Sequence, residues 1–281
     1  MAKFWNYIEV LKPRETSLLV FISLCAAIIA VRGLPPWGDL LVTLVAVTLG
    51  SGGVNGLTNY IDREVDARMQ RTKRRCLASK RIDPPEKALF LTMVLTLIAL
   101  GLAWYLHPLC FLAGLIGTVA AVTKRKTVLC PFLGAISGCA PVVIAWFAFK
   151  PEFDLPLLLL CILIWIWIPL HVWSAMLANG DDYRAAGVKY FPLSREIKEA
   201  VIMLPLLSLL LLIASMAVYF SNDLGVLYLV VAGLLGILMV YANSRLLISG
   251  VSRDAWRVYK LSAFPYLGLI FLAMCLDSSI I

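Results

Sequence analysis

Apolar runs long enough to cross a bilayer recur almost from one end of this 281-residue chain to the other, and no other feature restricts its fold as much. A helix needs about 20 predominantly apolar residues to traverse the hydrocarbon core. Inside that core every backbone N–H and C=O must be paired within the protein, which favours helices. Nine runs qualify, at 17–31, 40–60, 88–106, 109–122, 132–149, 155–178, 200–220, 224–243 and 261–276, the fourth being short. Composition agrees: 61% of residues are hydrophobic and 15% charged, against about half and a quarter in soluble domains. The expected class is an all-α, polytopic membrane protein, a bundle of nine transmembrane helices forming a single domain over residues 1–281. The first fifteen residues mix polar and aromatic side chains and lead to no small-residue cleavage site, so no cleavable signal peptide is expected and the first span stays.

The formal net charge of +8 suggests nucleic acid until the 25 basic residues are placed. They alternate by connection. With nine spans, 23 fall on the amino-terminal side and only Arg32 and Lys150 on the other. The positive-inside rule then puts the amino terminus and the large basic loops in the cytoplasm and the carboxyl terminus outside a cell (inner) membrane. Basic loops of this kind anchor the topology and attract anionic lipid, and no nucleic-acid partner is expected. The seven cysteines occur singly, with no CxxC pair, which points to neither a disulfide framework nor a zinc site.

Anchoring does not account for two acidic clusters set among those basic residues. In the first, Asn55, Thr58, Asp62 and Asp66 fall on nearly one stripe of a helix at about 100° per residue, with Asn59 beside them and Glu64 pointing elsewhere. Two carboxylates at i and i+4 can hold Mg²⁺, a hard cation that takes one or two carboxylates and fills its remaining positions with water and substrate phosphate. The bland alternative is a solvated helix end whose aspartates pair with Arg63 or Arg68. The second cluster, Asp181 and Asp182, follows the sixth span and so emerges on the same side as the first, four spans away. Arg71, Lys73, Arg74 and Arg75 trail the first cluster, and Lys124, Arg125 and Lys126 occupy the loop between. Guanidinium and ammonium groups recognise phosphate oxygens, and with Mg²⁺ they neutralise a departing diphosphate. A polyprenyl diphosphate would supply both the charged head for these clusters and an apolar tail for the bilayer.

The run from Asp62 to Arg75, Asp-Arg-Glu-Val-Asp-Ala-Arg-Met-Gln-Arg-Thr-Lys-Arg-Arg, resembles the first signature of the UbiA-type intramembrane prenyltransferases. More narrowly it resembles their protohaem IX farnesyltransferase (haem O synthase) branch. Four more segments agree: Lys124-Arg125-Lys126-Thr127; Gly134 to Pro141; Trp167-Ile168-Pro169-Leu170-His171-Val172-Trp173; and Asp181-Asp182-Tyr183-Arg184-Ala185-Ala186-Gly187, leading to Phe191-Pro192. The resemblance implies nine helices around a central cavity under cytoplasmic cap loops, Mg²⁺ as cofactor, and farnesyl diphosphate and protohaem as substrates. It implies catalytic roles for Asp62, Asp66, Asp182 and Lys124, and metal ligation by Asp62, Asp66, Asp181, Asp182 and Thr58. Diphosphate binding would fall to Asn55, Asn59, Arg71, Lys73, Arg75, Lys124 and Arg125, and acceptor binding to His171, Trp167 and Trp173. Thr58 stands where the superfamily usually has Asn, and still offers an oxygen. Cys76 stands where it usually has Pro, Cys130 where the haem branch usually has Asn, and Asn179-Gly180 where that branch often has an aromatic residue and Lys.

His171 lies ten residues before Asp181, a rise of about 15 Å along a helix, and ionisable groups at membrane depth usually line a cavity. It is expected either to ligate haem iron or to be a core histidine bonded to a carbonyl freed by Pro169. His107 is expected to be a loop residue on the opposite face. Rival readings are a related enzyme acting on an aromatic quinone precursor or a glycerol phosphate lipid, and a secondary transporter. The transporter is disfavoured because its site would sit near the bilayer midplane rather than at helix ends.

Overall fold

The computed structural model describes residues 2–123, 129–188, 197–221, 224–250 and 252–280. Among them there are helices and connections and no strands. Eight helical stretches are long and apolar enough to cross a membrane, and a ninth apolar helix, α5 (Pro108–Val122), is shorter. At about 22 Å it falls short of a hydrocarbon core of roughly 30 Å. The bundle runs α2 (Pro13–Val31), α3 (Trp37–Arg68), α4 (Glu86–Leu106), α5, α6 (Cys130–Phe149), α7 (Leu155–Ala178), α9 (Ile197–Ser221) and α10 (Val226–Ser249). It closes with α11 (Ser252–Leu261), a π-turn at Ser262–Tyr266, and α12 (Leu267–Ile280), which packs back on α2.

Three features depart from the hydropathy reading. The helix of the second apolar run extends beyond that run's end at Tyr60 to Arg68, so the first acidic cluster, read as one helical stripe, rides on an unbroken helix of 32 residues. The last span begins earlier than 261 as α11, and kinks where Ala263 leaves helical geometry (φ −65°, ψ −138°) just before Pro265. Proline removes a donor and clashes with the preceding turn, which accounts for the break. Finally, α1 (Ala2–Val10) precedes the first span, with Phe4 and Trp5 exposed as an interfacial helix presents them. A short α8 (Gly180–Ala185) follows α7.

Close approach at glycine holds α3 where the site needs it, and polar ties close the bundle elsewhere. Gly53 and Gly56 face α4, and a Cβ built on them would lie 2.4 Å from Thr96 Oγ1 and 2.1 Å from Thr92 Cγ2, so only glycine permits this approach. Across the bundle, polar ties replace the hydrophobic drive that lipid cannot supply. Ser23 Oγ donates to the Pro141 carbonyl (3.0 Å), and Tyr228 Oη donates to the Ser215 carbonyl (2.9 Å).

Candidate active site

The stripe expected on the first acidic helix is present and faces inward: Thr58, Asn59, Asp62 and Asp66 are all buried, while Ile61 and Glu64 point out. Asp66 Oδ2 accepts from Arg75 Nη1 at 2.7 Å, its side chain 2% exposed and that of the arginine 34%. Taking a carboxylate out of water is costly unless it is paired, and this contact pairs it. Asn59 donates from Nδ2 to the Val10 carbonyl (2.7 Å), while its Oδ1 is buried without a hydrogen-bond partner among the described residues. Asn55 Nδ2 donates to Thr16 Oγ1 (3.2 Å), and Thr58 Oγ1 donates to the Asn55 carbonyl (2.8 Å) and accepts from Lys12 Nζ (3.4 Å).

Asn59, Asp66 and Arg75 line a cavity of about 490 Å³ together with Glu9, Lys12, Arg14 and Glu15, its other walls apolar, Trp5, Ile8 and Leu77 among them. Lys12 and Arg14 therefore join the site although neither was singled out in the sequence. Lys12 takes a left-handed conformation (φ 48°) that turns the chain from α1 into α2, over the α3 stripe. The signal available was its spacing from α2: two basic residues flanking Pro13 at the mouth of the first span. The connection from α3 to α4 is latched to α1, for Arg81 donates to both Glu9 carboxylate oxygens (2.7 Å each) and to Asn6 Oδ1 (2.8 Å). Glu9 also accepts from the Cys76 N–H (3.0 Å). Burial, with the Glu9 carboxylate beside it, pushes the Cys76 thiol above its ordinary value.

Asn55, one turn before Asn59, lines a second cavity of very different character. This narrow slot of about 100 Å³ runs down α3 past Val54, Gly50 and Val47 to Ala46, walled by Thr96, Ala99 and Ala103 of α4, Gly114 and Gly117 of α5, and Ala140 and Ile144 of α6. From Asn55 to Ala46 it descends about 13 Å. One helix thus carries, a turn apart, the floor of a charged cavity and the mouth of an apolar one.

The two acidic clusters do meet, though not in the way two halves of one cation site would. The Asp182 carboxylate accepts from the backbone N–H groups of Gln70 (2.6 Å) and Arg71 (3.0 Å), pinning the connection after α3 to α8. Arg71 Nη2 donates to Tyr183 Oη (3.3 Å) across the same junction. Asp181 is fully exposed and pairs with Arg184 (3.2 Å). Lys73 is exposed. Lys124 and Arg125, with Lys126 and Thr127 of the same motif and Phe191-Pro192, lie outside the described residues. Among the described residues no group of three or more His, Cys, Asp or Glu side chains converges as a closed cation cage. Asp62 and Asp66 are buried on the same stripe as the unpartnered Asn59 oxygen, and carboxylate and amide oxygens are the donors that suit a hard cation still needing phosphate and water ligands.

His171 is stacked on Trp167 (ring centroids 4.9 Å, 12°) with Tyr259 on its other side (4.9 Å, 31°). Its Nδ1 shares a hydrogen bond with Ser262 Oγ (2.9 Å), and Trp167 Nε1 donates to the Ser262 carbonyl (2.5 Å). The histidine is therefore held by the kink after α11 and not by a carbonyl near Pro169. Trp173 stands apart from that stack, edge-on to Phe132 (6.4 Å). His107 caps α5, accepting from the Leu109 N–H at 3.1 Å.

Known proteins resemble this chain in sequence and in fold. A protohaem IX farnesyltransferase of Desulforudis audaxviator is 34% identical over 96% of this chain and 87% of its own length. One of Thermus thermophilus is 32% identical over 99% of this chain, which spans 47% of that longer protein. Among solved structures, a digeranylgeranylglyceryl phosphate synthase superposes with a TM-score of 0.82 at 17% identity over the whole of both chains. An Archaeoglobus fulgidus UbiA homologue bound to GPP and Mg²⁺ does so with a TM-score of 0.65 at 14% identity, over 96% of this chain and 99% of its own. The profile of the UbiA prenyltransferase family matches residues 19–268, and with the helical bundle and the inward acidic stripe in agreement, the chain belongs to the UbiA prenyltransferase family.

Proposed function

We propose that the chain transfers a farnesyl group from farnesyl diphosphate to a vinyl group of protohaem. The observation that carries the prenyl-diphosphate part is the junction on α3, where Asn59 and Asp66 line a cavity with charged groups of both signs, Lys12, Arg14 and Arg75 among them, and Asn55 opens an apolar slot. An amphiphile with a diphosphate head and an isoprenoid tail matches that change of character. The acceptor rests on the names of relatives 32–34% identical over nearly the whole chain.

In this reading Lys12, Arg14 and Arg75 donate to the diphosphate oxygens, and Asp62, Asp66 and the Asn59 oxygen would hold Mg²⁺. Mg²⁺ bound there would offset the charge that develops on the leaving diphosphate. The allylic C–O bond breaks with its electron pair leaving on the diphosphate, the vinyl π electrons form the new C–C bond, and water captures the resulting cation with loss of a proton. The slot shields the allylic cation from water until that bond has formed. Asp182 acts at one remove, holding the backbone of Gln70 and Arg71 and hence the basic connection over the cavity. His171 is partly exposed in its stack with Trp167 and Tyr259, and a porphyrin would meet it there.

The orientation belongs to the same proposal: amino terminus and acidic stripe cytoplasmic, carboxyl terminus outside. Reporter fusions after Arg75 and at the carboxyl terminus should read opposite sides, and a cytoplasmic carboxyl terminus would overturn it. The chemistry is tested by mass spectrometry of purified protein with Mg²⁺, farnesyl diphosphate and, in separate reactions, protohaem, an aromatic quinone precursor and a glycerol phosphate lipid. Haem gaining one farnesyl and one hydroxyl group is the expected product. Transfer to another acceptor with haem untouched would refute the haem assignment, and no diphosphate release with any acceptor would refute prenyl transfer.

A further inference from the structure

α10 and α11 form a helical hairpin through Gly250, whose positive φ (61°) makes the turn. Their facing sides enclose a groove of about 280 Å³. On α10 it is lined by Leu238, Tyr241 and Arg245, and on α11 by Asp254, Arg257 and Leu261. Both sets follow helical spacing, so each is one stripe of its helix. Because the helices run in opposite directions, the stripes grade the same way: Arg245, Asp254 and Arg257 lie at the turn end, and Leu238 and Leu261 lie deeper.

The charged end is built. Asp254 is buried and accepts from Arg257 Nη1 (2.7 Å) and from Ser249 Oγ (2.7 Å), with Arg245 Nε at 3.7 Å. One carboxylate thus positions two guanidinium groups whose side chains stay about half exposed, at 54% and 47%. A guanidinium has five N–H donors in a fixed fork, so each keeps donors for a further anion, and the cluster holds a net positive charge. The apolar end opens sideways: Leu234, Ile237, Leu238 and Tyr241 are exposed along α10 in a chain that spans the membrane, so the groove faces lipid. An occupant must bring an anion at headgroup level and a tail beside it, from within the bilayer.

We propose that this groove is a binding site for an anionic phospholipid, its phosphate held by Arg245 and Arg257 and one acyl chain laid between Leu238 and Leu261. Basic pockets between membrane helices bind such headgroups on the same physical grounds. The site is separate from the cavity under α1, and α11 runs from it directly into Ser262, the residue that holds Trp167 and His171. A bound lipid would brace that helix.

The test uses the full chain purified from detergent and reconstituted with phosphatidylglycerol or phosphatidylcholine. Native mass spectrometry should show phosphatidylglycerol retained in preference by about thirtyfold, from two basic contacts at headgroup level. A photoactivatable phosphatidylglycerol should label peptides of α10 and α11. The pair Arg245→Gln and Arg257→Gln should abolish the preference. Because that variant removes both guanidinium partners of buried Asp254 and leaves it only Ser249 among the described residues, Leu238→Trp, which fills the groove and leaves the charges in place, is expected to reduce labelling as well. Equal retention of the two lipids, labelling confined to other helices, or undiminished preference in both variants would each overturn the site. Displacement of the lipid by inorganic phosphate alone would also overturn it, since it would show an anion site with no use for the tail.

Discussion

Replacing Gly56 by alanine should cut prenyl transfer about a hundredfold in a protein that still inserts, because geometry at the reacting groups tolerates little displacement. The added Cβ would lie 2.1 Å from Thr92 Cγ2, 3.0 Å from Thr92 Cβ and 3.1 Å from Val10 Cγ1. Carbon atoms rest at about 3.5–4.0 Å, so the shortest contact must open by roughly 1.5 Å. Rotating Thr92 does not resolve it, since Cβ stays where it is and Oγ1 is tied to the Leu89 carbonyl at 3.0 Å. α3 must therefore move away from α4 and α1, carrying with it Asn55, Asn59 and the aspartates beyond. Overpacking of this kind costs about 1–3 kcal/mol of stability, whereas a displacement near 1 Å at a reacting geometry costs about 10²-fold in rate. The assay is initial rate with farnesyl diphosphate and Mg²⁺, beside a thermal-unfolding midpoint. Gly101→Ala, where a Cβ meets nothing within 4 Å, is the control and should leave the rate unchanged. Adding Thr92→Ser to Gly56→Ala deletes the clashing methyl group and should restore part of the rate. Wild-type turnover in Gly56→Ala, or no recovery with Thr92→Ser, would refute the role given to this crossing.

Three further outcomes follow from the site. Asp62→Ala and Asp66→Ala should each lower Mg²⁺-dependent turnover by about 10²-fold or more, with the Mg²⁺ requirement shifted to higher concentration; unchanged turnover and Mg²⁺ dependence in both would falsify the metal assignment. Asp182→Ala removes the acceptor for two backbone N–H groups, an effect of about 1–3 kcal/mol, and should speed protease cleavage between Gln70 and Arg75; Asp182→Asn, which keeps acceptor oxygen, should fall between. His171→Ala should weaken haem binding, read by the Soret band, more than farnesyl diphosphate binding. Equal loss of both, with a lowered unfolding midpoint, would mean that the histidine serves only to hold Ser262 and the kink.

Hydropathy is additive along the chain, because each residue's transfer free energy to hydrocarbon depends little on distant neighbours. The membrane class, the helical spans and the inward stripe from Thr58 to Asp66 were therefore legible from residues alone. The basic loops were legible too, as an orientation that still awaits its reporter test. Where helices stop was not, since the polar end of α3 continues to Arg68 with Asp66 paired to Arg75 and Asp182 anchoring the chain just beyond, and no local composition records those partners. The fate of Asp182 itself turned on residues more than a hundred positions away. Likewise His171 is oriented by Ser262, 91 residues later, and only because Pro265 and Ala263 break the last span at that depth. Lys12 and Arg14 looked like topological anchors until a left-handed turn at Lys12 laid α1 over the stripe. Sequence by itself decides what each segment can be in lipid or water; which polar groups share a cavity depends on a few directional contacts between segments, and these exist only once the bundle has closed.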